Sequence, residues 1–193
     1  MAIIAVRETS RLRLRPLFLA DAPAIQRLAG VPEVADTTLT IPFPYPDGLA
    51  EQWIAGHTEA AHKGTSLTWA ITDRMSDGLY GSISLVICSQ HQHAELGYWM
   101  GVPFWGCGYT TEAASDVLAY GFSSLDLHRI FARYVVRNPA SGRVMQKIGM
   151  SHEGWQRQHI RKGERFEDIV NYGILRHEWE AATGRRAGVV PPV

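Results

Sequence analysis

The chain has 193 residues, 46% of them hydrophobic and 20% charged, enough for one globular domain with a sizeable core. Its 19 basic residues balance its 19 acidic ones, which excludes the electrostatic footprint of a nucleic-acid or anionic-membrane binder. Two cysteines, Cys88 and Cys107, exclude a disulfide framework, and no stretch approaches the ~20 apolar residues of a membrane span. No metal-ligand spacing is present either: His91-Gln92-His93 lacks cysteine or carboxylate partners. Arg7 and Glu8 follow only a short apolar run, so no secretory signal is expected and a cytoplasmic location is.

In chain order, Leu12-Arg13-Leu14-Arg15 alternates apolar and basic residues and predicts a half-buried strand. Asp21 is expected to cap a short helix, with Pro23 in its first turn and Gly30 at its end. Residues 40–46 are rich in proline and aromatics and read as an irregular loop. A second helix follows Asp47-Gly48, carries Trp53 and Ile54, and ends near Gly64. Residues 67–72 and 79–87 predict a hairpin about Ser76-Asp77-Gly78, and a strand at 94–99 comes next. A helix is predicted over 109–122 and a strand over 128–136, with Ile130, Ala132, Tyr134 and Val136 on one face. The helix over 139–148 has Asn138 as N-cap, Pro139 at its first position and Gly149 as its stop. Strands at 152–160 and 165–175 flank the turn Arg161-Lys162-Gly163; the basic cluster there, with Arg157 and Arg165, reads as a solvated turn. Together these predict an α+β domain over residues 1–183, a single mixed, mostly antiparallel sheet of about seven strands, with 184–193 as a loose tail.

Between the strand at 94–99 and the helix at 109–122 lies Trp105-Gly106-Cys107-Gly108-Tyr109-Thr110-Thr111-Glu112. A strand, a glycine-rich turn and a helix N-terminus together present backbone N–H groups and a partial positive charge to an anion such as a phosphate. Gly106 and Gly108 permit the positive φ that such a turn demands.

With these pieces in order, the chain resembles the GNAT superfamily of acyltransferases, and within it the Rim-type, ribosomal-protein-alanine N-acetyltransferase branch. The resemblance rests on residues 9–15, Pro42-Phe43-Pro44-Tyr45, Glu95-Leu96-Gly97-Tyr98-Trp99 and the segment Trp105 to Ala113. It continues through Asn138-Pro139-Ala140-Ser141, Lys147-Ile148-Gly149-Met150 and Glu153-Gly154, and spans the chain from Arg11 to about Trp179. It implies acetyl-CoA as donor, a primary amine as acceptor and no metal, and it allows a homodimer. It further implies that two central strands, at 95–100 and 131–136, splay apart around the pantetheine arm. Trp99, Met100, Trp105, Gly106, Cys107, Gly108, Tyr109, Thr110, Thr111, Asn138 and Ser141 would then line the cofactor. Two positions depart from the family pattern: Cys107 stands where a basic residue is common, and Thr110 where a small alanine is.

The resemblance also assigns the chemistry. The tyrosine that many superfamily members use to protonate the leaving thiolate is replaced by Met145, which cannot donate. Ser141, one helical turn earlier on the same face, is the candidate acid; the alternative is that its hydroxyl merely extends the helix cap beside Asn138. Glu95 is the candidate base or else an exposed strand glutamate, with Asp168, His152 and His93 behind it. Phe43 and Tyr45, in the irregular loop, are candidates for the acceptor side, with Tyr98 and Asp168 also facing the substrate. The expected activity is acetyl transfer to a protein or peptide N-terminal α-amine. The alternatives are a small-amine acetyltransferase, for a polyamine, amino-acid derivative or aminoglycoside-like compound, and a non-catalytic acyl-CoA-binding module.

Overall fold

The computed structural model describes residues 4–184. Its sheet contains β1 (Arg7–Glu8), β2 (Leu12–Pro16), β3 (Ser66–Asp73), β4 (Leu79–Cys88), β5 (His93–Met100), β6 (Arg129–Val135), β7 (Ser151–Lys162) and β8 (Arg165–Leu175). In space the order is β1-β2-β3-β4-β5-β6-β8-β7. Every neighbouring pair is antiparallel except β5 and β6, which are joined by a helical crossover and run parallel. The helices are α1 (Ala22–Ala29), α2 (Pro32–Thr37), α3 (Leu49–Lys63), α4 (Tyr109–Ser123), α5 (Pro139–Lys147) and α6 (Arg176–Thr183).

Strand periodicity divides the core between the two faces. Trp69, Ile71, Leu85 and Leu96 pack with Ala113, Val117 and Phe122 of α4 and Met145 of α5. The intervening Ala70, joined by Trp99, packs with Ile25 and Ala29 of α1 and Ala50 and Ile54 of α3. The crossover helix and α5 therefore share one face of the sheet, and α1 and α3 cover the other.

Three features depart from the sequence expectation. The eighth strand is the two-residue β1, and α2 and α6 are helices where none was expected. Both helices are short; α2 buries only Val34 and Ala35, and α6 is held chiefly by Trp179 against Phe122 at 5.4 Å. Asp21 does not cap α1 with its side chain. Instead it receives the Arg15 guanidinium through two bonds of 2.8 Å and the Phe18 amide at 2.8 Å. Arg15 is 7% exposed rather than solvent-facing, because Asp77 adds a second carboxylate at 3.0 Å. Apart from Gly184, the expected tail lies outside the described residues. Among the described residues no helix is long and apolar enough to cross a membrane, and no group of His, Cys, Asp and Glu is placed to hold a metal ion.

Candidate active site

The parallel pair in the middle of the sheet is incomplete. β5 and β6 are in register only at His93–Arg129, Ala94–Ile130 and Glu95–Phe131. Beyond Glu95, β5 stays paired with β4 as far as Met100, and β6 stays paired with β8 as far as Val135. The two strands thus diverge, leaving facing backbone edges without a partner strand. α5 lies across this opening. Asn138 caps it, its side chain accepting from the Ser141 amide at 3.3 Å. The Ser141 hydroxyl is not spent on that cap. It lies 2.9 Å from the Tyr98 hydroxyl, which is also 3.1 Å from the Ser141 carbonyl. Burial pushes the Tyr98 phenol up to about 12, against the lowering effect of its bond to Ser141, so it keeps its proton at neutral pH. Met145, four residues after Ser141, is 1% exposed and belongs to the core.

The loop after β5 has the backbone that its glycines suggest: φ is 74° at Gly106 and 80° at Gly108. No side chain caps α4, so the amides of its first turn are left for a ligand or water. Cys107 is exposed, Thr110 and Thr111 are half-buried, and Trp105 donates its indole N–H to the Met100 carbonyl at 2.7 Å. A divergent parallel strand pair beside an uncapped, glycine-led helix suits a long ligand with an anionic end. Its arm can use the unpaired strand edges and its anion the helix N-terminus.

Comparison with known proteins gives the same answer. Residues 11–151 match the family described as Acetyltransferase (GNAT) domain. The chain belongs to the GNAT acetyltransferase family. It is therefore an acyltransferase enzyme, an N-acetyltransferase. The uncharacterized N-acetyltransferase YoaA of Bacillus subtilis is 31% identical over 174 residues, 89% of this chain and 97% of its own. The ribosomal protein uS5-alanine N-acetyltransferase of Escherichia coli is 26% identical over 140 residues, 70% of each chain. Among solved structures, a GNAT-family acetyltransferase from Bacillus anthracis superposes with a TM-score of 0.80 at 25% identity, covering 90% of this chain and 99% of its own. RimL, the ribosomal L7/L12 α-N-protein acetyltransferase, solved with coenzyme A, reaches 0.81 at 18% identity over 89% of this chain and 98% of its own, a likeness of fold alone.

In this GNAT enzyme the other candidate residues fall in different places. Trp99 turns to the α1–α3 face, where Ile41 and Tyr45 of the irregular loop pack against the same cluster. Phe43 stands 57% exposed in that loop. Gln26 ties the end of the loop through Asp47 at 2.7 Å, and Asn138 donates to the Thr37 carbonyl at 2.9 Å just before it. Glu95 is not brought to Ser141. It lies three positions before Tyr98, ~10 Å along the strand and on the opposite face. Its oxygens receive Arg133, two residues past the last paired rung, at 2.7 and 3.4 Å. Asp168 does not face the splay with a free carboxylate; it accepts from the Trp155 indole at 2.9 Å and the Gln158 amide at 2.7 Å. These bonds, led by the Gln158 amide, lower its pKa and close the irregularity in β7. Arg133 escaped the sequence reading, although alternation places it on the Phe131 face of its strand.

Proposed function

We propose that this enzyme transfers acetyl from acetyl-CoA to an α-amine at a protein or peptide N-terminus. The observation that carries the reading is the Tyr98–Ser141 hydroxyl pair, 2.9 Å apart in the open half of the strand splay. Acetyl-CoA supplies the activated acyl group and a leaving thiolate. The chain's own tasks are to bind the phosphates on residues 106–111, align the thioester between β5 and β6, and return a proton to sulfur. As the C–N bond forms and the C–S bond breaks, the Ser141 hydroxyl donates that proton and Tyr98, still protonated, is placed to restore it. The amine's surplus proton leaves to solvent.

That last step favours the α-amine. With a pKa of ≈ 7.7–8.0 roughly 10–15% of it is neutral at pH 7, against ~0.04% of a lysine amine, a gap of ~3.5 kcal/mol. Glu95, paired with Arg133 on the far face, offers no close base, and an already neutral amine does not require one. The ribosomal protein uS5-alanine N-acetyltransferase among the relatives supports the same acceptor class.

The test is thiol release from acetyl-CoA against N-terminal peptides, polyamines and aminoglycosides, with Ser141→Ala beside wild type. We expect turnover on peptides and a fall in kcat of about 100-fold in the variant, the lower end of general acid catalysis. Turnover confined to small amines would replace the acceptor. Unchanged kcat in Ser141→Ala would remove Ser141 as the acid, and CoA binding without turnover on any acceptor would overturn the reading.

A further inference from the structure

The phosphate loop carries no basic residue of its own, because Cys107 occupies the position where one is common in the family. The structure shows what stands nearby. Arg11, just before β2, donates from Nη1 to the Cys107 carbonyl at 3.0 Å and lies 4.6 Å over the Tyr109 ring. Its Nε donates to Glu112 Oε2 at 2.7 Å. Glu112 Oε1 receives the Thr9 hydroxyl at 2.6 Å, the Ser10 hydroxyl at 2.9 Å and the Arg11 amide at 2.9 Å. One carboxylate in the first turn of α4 thus gathers a segment about a hundred residues away in sequence. Burial raises its pKa, but the bonds from Thr9, Arg11 and Ser10 outweigh that and hold it at about 2.

Two consequences follow for the loop. A trans peptide points its C=O and the next N–H in opposite directions. Fixing the Cys107 carbonyl on Arg11 therefore turns the Gly108 amide away from Arg11, toward the open side of the loop. A bare carboxylate one turn into α4 would also repel a diphosphate at the helix N-terminus, and the Arg11 guanidinium compensates it. We propose that Arg11 and Glu112 form a positioning pair that presets the phosphate loop for CoA, replacing a charge within the loop by a fork that holds it from behind. This rests on the acetyl-CoA reading above.

The test titrates CoA into wild type, Arg11→Gln, Arg11→Lys and Glu112→Gln by calorimetry, with steady-state kinetics in parallel. The expected result is a rise of about tenfold in the CoA Kd and acetyl-CoA KM for all three variants, the loss of one charge-assisted hydrogen bond. The acceptor KM and kcat should stay within about twofold, since Ser141 and Tyr98 are held by other elements; a merely structural role would move all of these together. Arg11→Lys is decisive for the fork: one ammonium cannot reproduce the planar pair of bonds to Glu112 and Cys107. Full rescue by lysine would overturn the positioning role, as would tighter CoA binding in Glu112→Gln. If wild type fails to bind CoA, the function reading falls and this inference with it. If wild type binds and the variants bind equally well, the inference alone falls. Should Arg11→Gln not fold, Thr9→Val, which removes one donor from Glu112, must still raise the CoA Kd.

Discussion

Between Tyr98 and Ser141 two hydroxyls share one hydrogen bond, and a single O–H can serve only one acceptor at a time. If Tyr98 donates to Ser141 Oγ, the serine oxygen is held in one rotamer and its own proton is left free to turn toward the sulfur. Removing the phenol oxygen frees the serine rotamer without touching the phosphate loop. Tyr98→Phe is expected to lower kcat by about tenfold with little change in acetyl-CoA KM, and Ser141→Ala/Tyr98→Phe to be no slower than Ser141→Ala alone, the non-additivity of groups acting as a unit. A kinetic double-mutant cycle measures this, and additive losses would mean that the two act separately. Part of the arrangement was legible in the sequence. Asn138 before proline marked the cap, and alternation along the strand at 94–99, although it was not applied, is enough to set Tyr98 on the face of Leu96. That this face meets Ser141 was not legible, because the partners are 43 residues apart and only the crossover brings them together. The same alternation separates Glu95, on the face of Trp99, from Tyr98, although the sequence reading kept Glu95 as the candidate base without applying it.

Among the elements, α5 carries Ser141, the proposed proton donor, and its depth against β6 is set by a missing side chain. A Cβ on Gly142 would come within 2.7 Å of the Tyr134 ring and hydroxyl. The helix cannot settle this close with any other residue unless the ring moves. Gly142→Ala gains helix propensity of ~1 kcal/mol, but the overpacking costs ~1–3 kcal/mol. The variant is expected to be neutral to modestly destabilised in thermal melts yet clearly slower, because lifting α5 draws Ser141 away from Tyr98. Combining it with Tyr134→Leu should recover kcat; no recovery would place the fault elsewhere than in helix depth. The sequence announced α5 through its proline, asparagine and closing glycine, and α3 and α4 through their length. It did not announce α2, whose six residues are too few to show a period. Nor did it announce where β5 and β6 part, for nothing in either strand marks the last paired rung. The splay was expected from family resemblance alone.

Over the whole molecule the sheet acts as a partition with one gap. On one face stand α4, α5, the phosphate loop and Ser141; on the other stand α1, α3, Trp99 and the loop at residues 38–48. An acyl donor held on the first face and an amine entering from the second would meet in the gap without competing for surface. The two faces should therefore be separable by mutation. Phe43 is 57% exposed, while Tyr45 packs in the α1–α3 cluster, where burial and then Glu51 raise its phenol pKa. Phe43→Ala is expected to raise the acceptor KM several-fold, by roughly the 0.5–1.5 kcal/mol of an aromatic contact, and to leave the acetyl-CoA KM and melting temperature unchanged. Tyr45→Ala should raise the acceptor KM too, but with a loss of ~1–3 kcal/mol in stability, because it also empties part of a core. Initial-rate kinetics with each substrate varied at saturation of the other, beside thermal melts, give both quantities. If Phe43→Ala shifted the two KM values equally, the loop would not be specific to the acceptor. The sheet would then not separate the substrates, and the acceptor would have to enter past α5 on the face of Ser141.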